Sequence, residues 1–160
     1  MKTNATVSFE TTLLVRDTCL CLHVQRAART LARRFDDAMR HLGLTSGQFS
    51  LMMSLNRPLA PGMAAVAALL AMDRTTLTAA LKPLERRGLV RVTVDPADRR
   101  GRRLALTPAG MSLLAEAVPL WKATHDAVDL QLADIDPALL RGGLRQVASD
   151  SGWAAEPVAP

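Results

Sequence analysis

Nine basic side chains (Arg74, Lys82, Arg86, Arg87, Arg91, Arg99, Arg100, Arg102 and Arg103) stand between Asp73 and Arg103 against four acidic ones (Asp73, Glu85, Asp95 and Asp98). The chemistry such a cluster performs is the capture of a polyanion, because phosphates attract Arg and Lys whatever the base sequence. Within it, Arg74, Thr75, Thr76 and Thr78 combine side chains that read base edges: Arg pairs bidentately with guanine, and Thr contacts a thymine methyl or a phosphate. A second constellation, Cys19-x-Cys21-x-His23, carries two thiols and an imidazole. Its spacing is not that of a zinc finger, and alternating positions suit a strand or loop better than a helix, so no metal is expected, although His41 and His125 are available to complete a site across two subunits. The sequence lacks His-Glu-x-x-His, a glycine-rich phosphate loop and a nucleophile elbow, so neither an enzyme nor a cofactor is expected.

The 160 residues suit one folded unit. Nearly half, 49%, are apolar, 22% are charged, and the aromatics are limited to Phe9, Phe35, Phe49, Trp121 and Trp153. The apolar share is dominated by Ala and Leu, strong helix formers, whereas strand-favouring residues are scarce, so the fold is expected to be mainly α. The net charge of +5 equals that of the stretch from Asp73 to Arg103, and from Leu104 onward three basic residues meet seven acidic ones. No run approaches the ~20 apolar residues of a membrane span, and no signal-peptide pattern opens the chain; the expected location is the cytoplasm. Cys19 and Cys21 point to different faces of a helix and are expected to be reduced thiols.

Residues 1–16 show no sustained period and are expected to form a loose arm. From Asp17 the residues Leu20, Val24, Ala27, Leu31, Phe35, Ala38 and Leu42 recur at spacings of 3 and 4, one stripe of a helix that Gly43 ends. Thr45 and Gln48 form a capping box for a helix with Phe49, Met52, Met53 and Leu55 on its core face. Asn56-Arg57-Pro58 breaks it, and a loop through Pro61-Gly62 leads to a short Ala-rich segment with Val66, Leu69 and Leu70 inward. Asp73 caps the next helix, which carries Leu77, Leu81 and Leu84 and stops at Gly88. Val90–Val94 and Arg102–Thr107 alternate as a β-hairpin around a turn-rich basic tip, Asp95–Gly101. Thr107-Pro108 starts a long helix, which Pro119 is expected to kink, and Asp136-Pro137 starts a last one. A mobile tail is expected over 151–160.

Three short helices followed by a basic hairpin describe a winged helix-turn-helix, whose third helix enters the major groove while the hairpin lies along the backbone or minor groove. The residues also carry a family resemblance. Leu44-Thr45-x-x-Gln48, Asp73-x-Thr75-Thr76-Leu77-Thr78, Leu84-Glu85-Arg86-Arg87-Gly88-Leu89-Val90-Arg91, Asp95-Pro96-x-Asp98-Arg99-Arg100 and Leu106-Thr107-Pro108-x-Gly110 together resemble the MarR family of bacterial transcriptional regulators over residues 19–148. The resemblance implies a homodimer that binds double-stranded DNA at a near-palindromic operator and represses a neighbouring gene. It also implies dimerisation helices over 17–43 and 108–150 around a DNA-binding lobe over 45–107. The residues expected at DNA are Arg74, Thr75, Thr76, Thr78, Lys82, Asp98, Arg99, Arg100 and Arg102, with Asp98 and Arg100 as the wing pair and Arg100 at the minor groove.

Two features depart from that pattern. Pro83 falls inside the recognition helix, and Ala79 and Ala80 stand where many relatives carry larger polar residues, so specificity is expected to lean on the wing and on DNA shape. The alternative is a winged-helix protein-interaction or metal-binding module without sequence-specific DNA binding. Cys21 aligns with the reactive cysteine of the organic-hydroperoxide-sensing branch, with Gln25 and Phe35 where that branch carries thiol-bonding tyrosines. A reactive thiolate needs a helix N-terminus or nearby cations, which the helix start and Arg26 can supply, while a structural role for Cys19 and Cys21 is the commoner use of a helical thiol. Met39, Met52, Met53 and Trp121 are candidates to line an apolar effector pocket between the dimerisation helices and the DNA-binding lobe, with ordinary core as the alternative for each.

Overall fold

The computed structural model describes residues 6–132 and 134–148; the expected tail over 151–160 lies outside the described residues. Among the described residues, seven α-helices and one hairpin follow in the order α1 (Phe9–Thr18), α2 (Leu20–Met39), α3 (Ser46–Leu55), α4 (Met63–Leu69), α5 (Arg74–Arg86), β1 (Val90–Val94), β2 (Arg102–Leu106), α6 (Pro108–Gln131) and α7 (Pro137–Ala148). This is a mainly α winged helix-turn-helix, as the sequence predicts. Among the described residues no single helix is long and apolar enough to cross a membrane.

The expectation of a loose arm up to residue 16 is corrected: α1 occupies Phe9–Thr18. Its stability is local, which hid it from a search for a core-facing stripe. Ser8 Oγ accepts from the Thr11 amide at 3.3 Å, Thr18 Oγ1 donates to the Leu14 carbonyl at 2.7 Å, and none of its residues is buried. The helix expected to begin at Asp17 begins instead at Leu20, because Cys19 is extended (φ −72°, ψ 101°) and caps α2.

Several later boundaries follow from caps. After α2 a single 3-10 turn, Arg40–Leu42, ends at Gly43, whose φ of +63° is left-handed. The predicted capping box is present: the Gln48 amide donates to Thr45 Oγ1 at 3.2 Å, and the Thr45 amide donates to Gln48 Oε1 at 3.1 Å. On α3 the expected core face is corrected by one residue, since Leu51 is buried and Met53 is 39% exposed. On α4 Val66 is buried as expected, whereas Leu69 and Leu70 are only half-buried. Ala71 then takes φ +50° between α4 and α5.

Leu77, Leu81 and Leu84 of α5 join Met39, Leu51, Met52, Val66 and Leu104 in one core. α5 continues through Pro83, which lacks the amide that would bond the Ala79 carbonyl. α6 likewise runs as one helix through Pro119. The hairpin pairs Val90 with Leu106 and Val94 with Arg102, and its inner residue Leu104 donates its amide to the Pro61 carbonyl at 2.9 Å. Gly62 and Arg103 form a further bridge, so the hairpin is stitched to the segment leading into α4.

Gly110 sits where a Cβ would meet the Leu89 carbonyl oxygen at 2.0 Å, a backbone clash that no side-chain motion relieves. Ala71 has the opposite problem, a side chain in backbone space that Gly occupies freely. Gly110→Ala should therefore lower unfolding free energy by at least about 2 kcal/mol, while Ala71→Gly should raise it by up to about 1 kcal/mol through relief of left-handed strain. Urea denaturation of both variants checks the opposite signs.

Candidate nucleic-acid interface

The start of α5 is organised by Asp73. Its Oδ1 accepts from the Thr76 amide at 2.7 Å and its Oδ2 from the Thr76 hydroxyl at 2.8 Å, while Thr78 donates its hydroxyl to the Arg74 carbonyl at 2.7 Å. The protons of both hydroxyls are therefore engaged inside the helix, and these residues meet a ligand through methyl groups and free lone pairs. Arg74, Thr75, Thr76, Thr78 and Lys82 are all exposed. The Thr76 amide, followed by its hydroxyl, holds the Asp73 carboxyl below the usual carboxylate range.

The wing is a closed loop. The Asp95 amide donates to the Gly101 carbonyl at 3.1 Å, and the Gly101 amide donates to the Asp98 carbonyl at 2.8 Å. Asp98 Oδ1 accepts the Arg100 amide at 2.9 Å, and Arg102 Nη1 bends back to the carbonyls of Gly101 at 2.9 Å and Arg99 at 3.2 Å. Asp98 thus shapes the tip and Arg102 braces it, while the Arg99 and Arg100 side chains stand exposed.

Sequence reasoning missed the clasp beneath this loop. Arg103 Nε donates to Asp95 Oδ2 at 2.8 Å, and its Nη1 donates to the Ala60 carbonyl at 3.1 Å. The Asp95 side chain is only 14% exposed. The signal was legible: opposite charges stand just outside and just inside the closing pair of a hairpin. The Ala97 amide, and secondarily Arg103, hold the Asp95 carboxyl below its ordinary range.

Between α4, the first residue of α5 and the wing lies a cleft of about 420 Å³ that brings Arg74 together with Asp95, Asp98, Arg100 and Arg102. Thr75, Thr76, Thr78 and Lys82 lie on α5 outside the lining of that cleft, and so does Arg99 at the tip. A recess with three arginines against two aspartates, walled by helix residues and a hairpin, suits a phosphate backbone entering between them.

An open apolar cavity of about 440 Å³ is lined by Phe49, Met53, Leu69, Leu70, Val118 and Trp121, with Ser50 and Ser54 as its polar groups. Phe49 and Trp121 stack with centroids 6.1 Å apart, and Trp121 also meets His125 at 5.0 Å. Of the four pocket candidates, Met53 and Trp121 line the cavity, whereas Met39 and Met52 are wholly buried core.

Cys19 Sγ accepts the Leu22 amide at 3.4 Å, while the exposed Cys21 Sγ accepts from Gln25 Nε2 at 3.2 Å. His23 Nδ1 lies 2.9 Å from the Cys19 carbonyl oxygen. Among the described residues no cluster of three or more His, Cys, Asp or Glu side chains is placed to hold a metal ion.

Two helices joined by a tight turn, with a basic hairpin behind the second, define a winged helix-turn-helix protein. The MarR family profile matches residues 44–101. The transcriptional regulator MosR of M. tuberculosis, solved in complex with DNA, is 36% identical, with 83% of this chain and 96% of that one aligned at a TM-score of 0.74. The transcriptional repressor CouR, bound to a 23-mer DNA duplex, is 27% identical over 90% of this chain and 99% of its own, with a TM-score of 0.75. The transcriptional regulator HosA of Escherichia coli O111:H- is 40% identical over 88 residues, which are 54% of this chain and 61% of HosA. The chain belongs to the MarR family of transcriptional regulators, and an enzymatic role is set aside.

The depressed carboxyls give an acid-side prediction. A carboxyl held low in the folded state contributes stability that is complete above its unfolded value, near 3.9, and is lost as pH falls through the lower folded value. Asp95→Asn should lower the urea midpoint at pH 7 and flatten its decline between pH 5 and pH 2 relative to wild type. Parallel titration curves for the two proteins would show that the clasp contributes nothing.

Proposed function

We propose that the chain is a homodimeric repressor that binds a near-palindromic operator in double-stranded DNA. The observation that carries this reading is the cleft between α5 and the wing, in which Arg74 and Arg100 face one recess from two elements. The start of α5 enters the major groove with Arg74, Thr75, Thr76 and Thr78, Lys82 tracks the backbone, and Arg99 and Arg100 follow the adjacent minor groove. Asp98 and Arg102 act by holding the tip in shape. The solved complexes of MosR and CouR with DNA support the same use of this fold.

Dimerisation is supported by where apolar surface is left uncovered. Phe9 and Leu14 of α1, Leu20 of α2, Leu130 of α6, and Leu139 and Val147 of α7 are all largely exposed, up to 80% at Leu130. Exposure of this extent on these helices supports a subunit interface, and a dimer built there would space two lobes about one helical turn apart. A regulator of this kind works in the cytoplasm, where its DNA is.

Release follows from geometry. A small apolar effector in the cavity against Trp121 lies between α6 and the lobe, so occupancy favours a different lobe position. A preference of ~100-fold for the DNA-incompetent spacing, equal to ~2.7 kcal/mol, relieves most repression. Oxidation of Cys21 is a second route, supported by its exposure and by the Gln25 amide donated to its sulfur where the hydroperoxide-sensing branch uses tyrosine.

Fluorescence anisotropy with DNA from the gene's own upstream region, against scrambled DNA, tests the reading across a salt series. The reduced protein should prefer the upstream DNA, and Arg100→Ala should weaken that binding by about tenfold or more without lowering thermal stability. Peroxide treatment that abolishes binding reversibly selects the thiol route, and binding indifferent to oxidation selects the cavity. Equal affinity for both DNAs from a folded dimer would favour a protein-interaction module instead.

A further inference from the structure

Arg87 lies in the basic stretch, and charge alone would count it among the phosphate contacts. The structure gives it other partners. From the C-terminal end of α5 its guanidinium crosses to the end of the helix before the lobe, where Nη1 donates to the Gly43 carbonyl at 2.6 Å and Nη2 to the Leu42 carbonyl at 3.2 Å. These carbonyls belong to the last turn after α2, where a helix leaves acceptors unpaired and carries partial negative charge. The seat is shaped for the fork: Gly43 is left-handed at φ +63°, and a Cβ there would stand 3.5 Å from Nη2.

α5 itself packs on α4 and β1, and α2 packs on α3 and α6. Arg87 is thus a direct polar link between the recognition helix and the helix whose exposed face is assigned to the dimer. Two donors on a planar group to two successive carbonyls define an angle as well as a distance, which a single ammonium does not.

We propose that Arg87 is a positioning residue for operator recognition, a strut that fixes α5 against α2 and so sets the half-site spacing the dimer accepts. This rests on the reading of the chain as a dimeric operator-binding regulator. It separates Arg87 from Arg74 and Arg100, which line the cleft beside the wing.

The test uses the full chain and a duplex selected by the wild-type protein from a random-sequence library. Three further probes are derived from it: a single half-site, and the full site with one or two base pairs inserted at its centre. Selection of no duplex by the wild-type protein would overturn the regulator reading and this inference with it. Given a selected duplex, Arg87→Lys and Arg87→Gln should both bind the half-site as wild type does, which also establishes that they fold. Both should lose about tenfold on the full site and should discriminate less against the inserted sites, with the salt dependence unchanged. The inference is overturned if Arg87→Lys behaves as wild type while Arg87→Gln weakens half-site binding and lowers the salt slope by about 2 for the dimer, the mark of a phosphate contact. It is equally overturned if both variants keep the wild-type preference for spacing.

Discussion

The contact on which the remaining architecture depends is the seating of the α6 start on the base of the hairpin. Thr107 donates its amide to the Leu89 carbonyl at 3.0 Å and its hydroxyl to the Gly88 carbonyl at 2.6 Å, while its oxygen accepts the Gly110 amide at 3.0 Å. Gly110 lies so close to Leu89 that a hydrogen is the largest substituent the site admits. One residue therefore caps the long helix, closes the recognition-helix exit and anchors the strand. Because Val90 begins β1 directly after Leu89, the wing inherits its direction from this seat.

Positive charge in the lobe divides into two populations that composition cannot separate. Arg103 is spent on Asp95 and Ala60, Arg87 on Leu42 and Gly43, and Arg102 on the carbonyls of the wing tip. Arg74, Lys82, Arg99 and Arg100 stand exposed around the cleft and along α5. Guanidinium groups satisfy backbone carbonyls well because they offer several donors in a plane, so Arg serves here as a structural connector even where it is exposed. The braced arginines hold the loop on which Arg100 stands.

The legible part of this molecule was the part written locally. Thr45 with Gln48, Asp73, Thr107 and Gly43 mark helix boundaries through bonds spanning three residues or fewer, and the alternation in Val90–Val94 reports a strand half-covered by the core. α1 was missed because its caps hold a helix with no buried face, and periodicity reports only burial. The cleft was legible as charge and as motif, but the assignment of individual roles was not. The Arg87 bonds join residues 44 and 45 positions apart, and nothing in the local pattern distinguishes such an arginine from its neighbour Arg86. Likewise Met52 and Met53 are adjacent on α3, yet one is wholly buried and the other lines the cavity, because successive helix positions face different directions.

The recognition helix is seated in the core through Leu77, Leu81 and Leu84, and polar contacts are added at its C-terminal end. That end is tied to the α2 end by Arg87 and to the α6 start by Leu89 and Thr107, whereas the N-terminal residues Arg74, Thr75, Thr76 and Thr78 are exposed. The helix has 13 residues, hence a length of about 20 Å, so a tilt of about 10° about its C-terminal end would move its N-terminal end by about 3.5 Å, close to the rise of one base pair. The cavity lies by the other end, with Leu69 and Leu70, just before the α5 start, in its lining and Phe49 of α3 stacked on Trp121 of α6 at its wall. On the proposed reading, an effector there acts through the turn from α4 into α5, and it has no need to reach Arg74 or Arg100, neither of which lines the cavity.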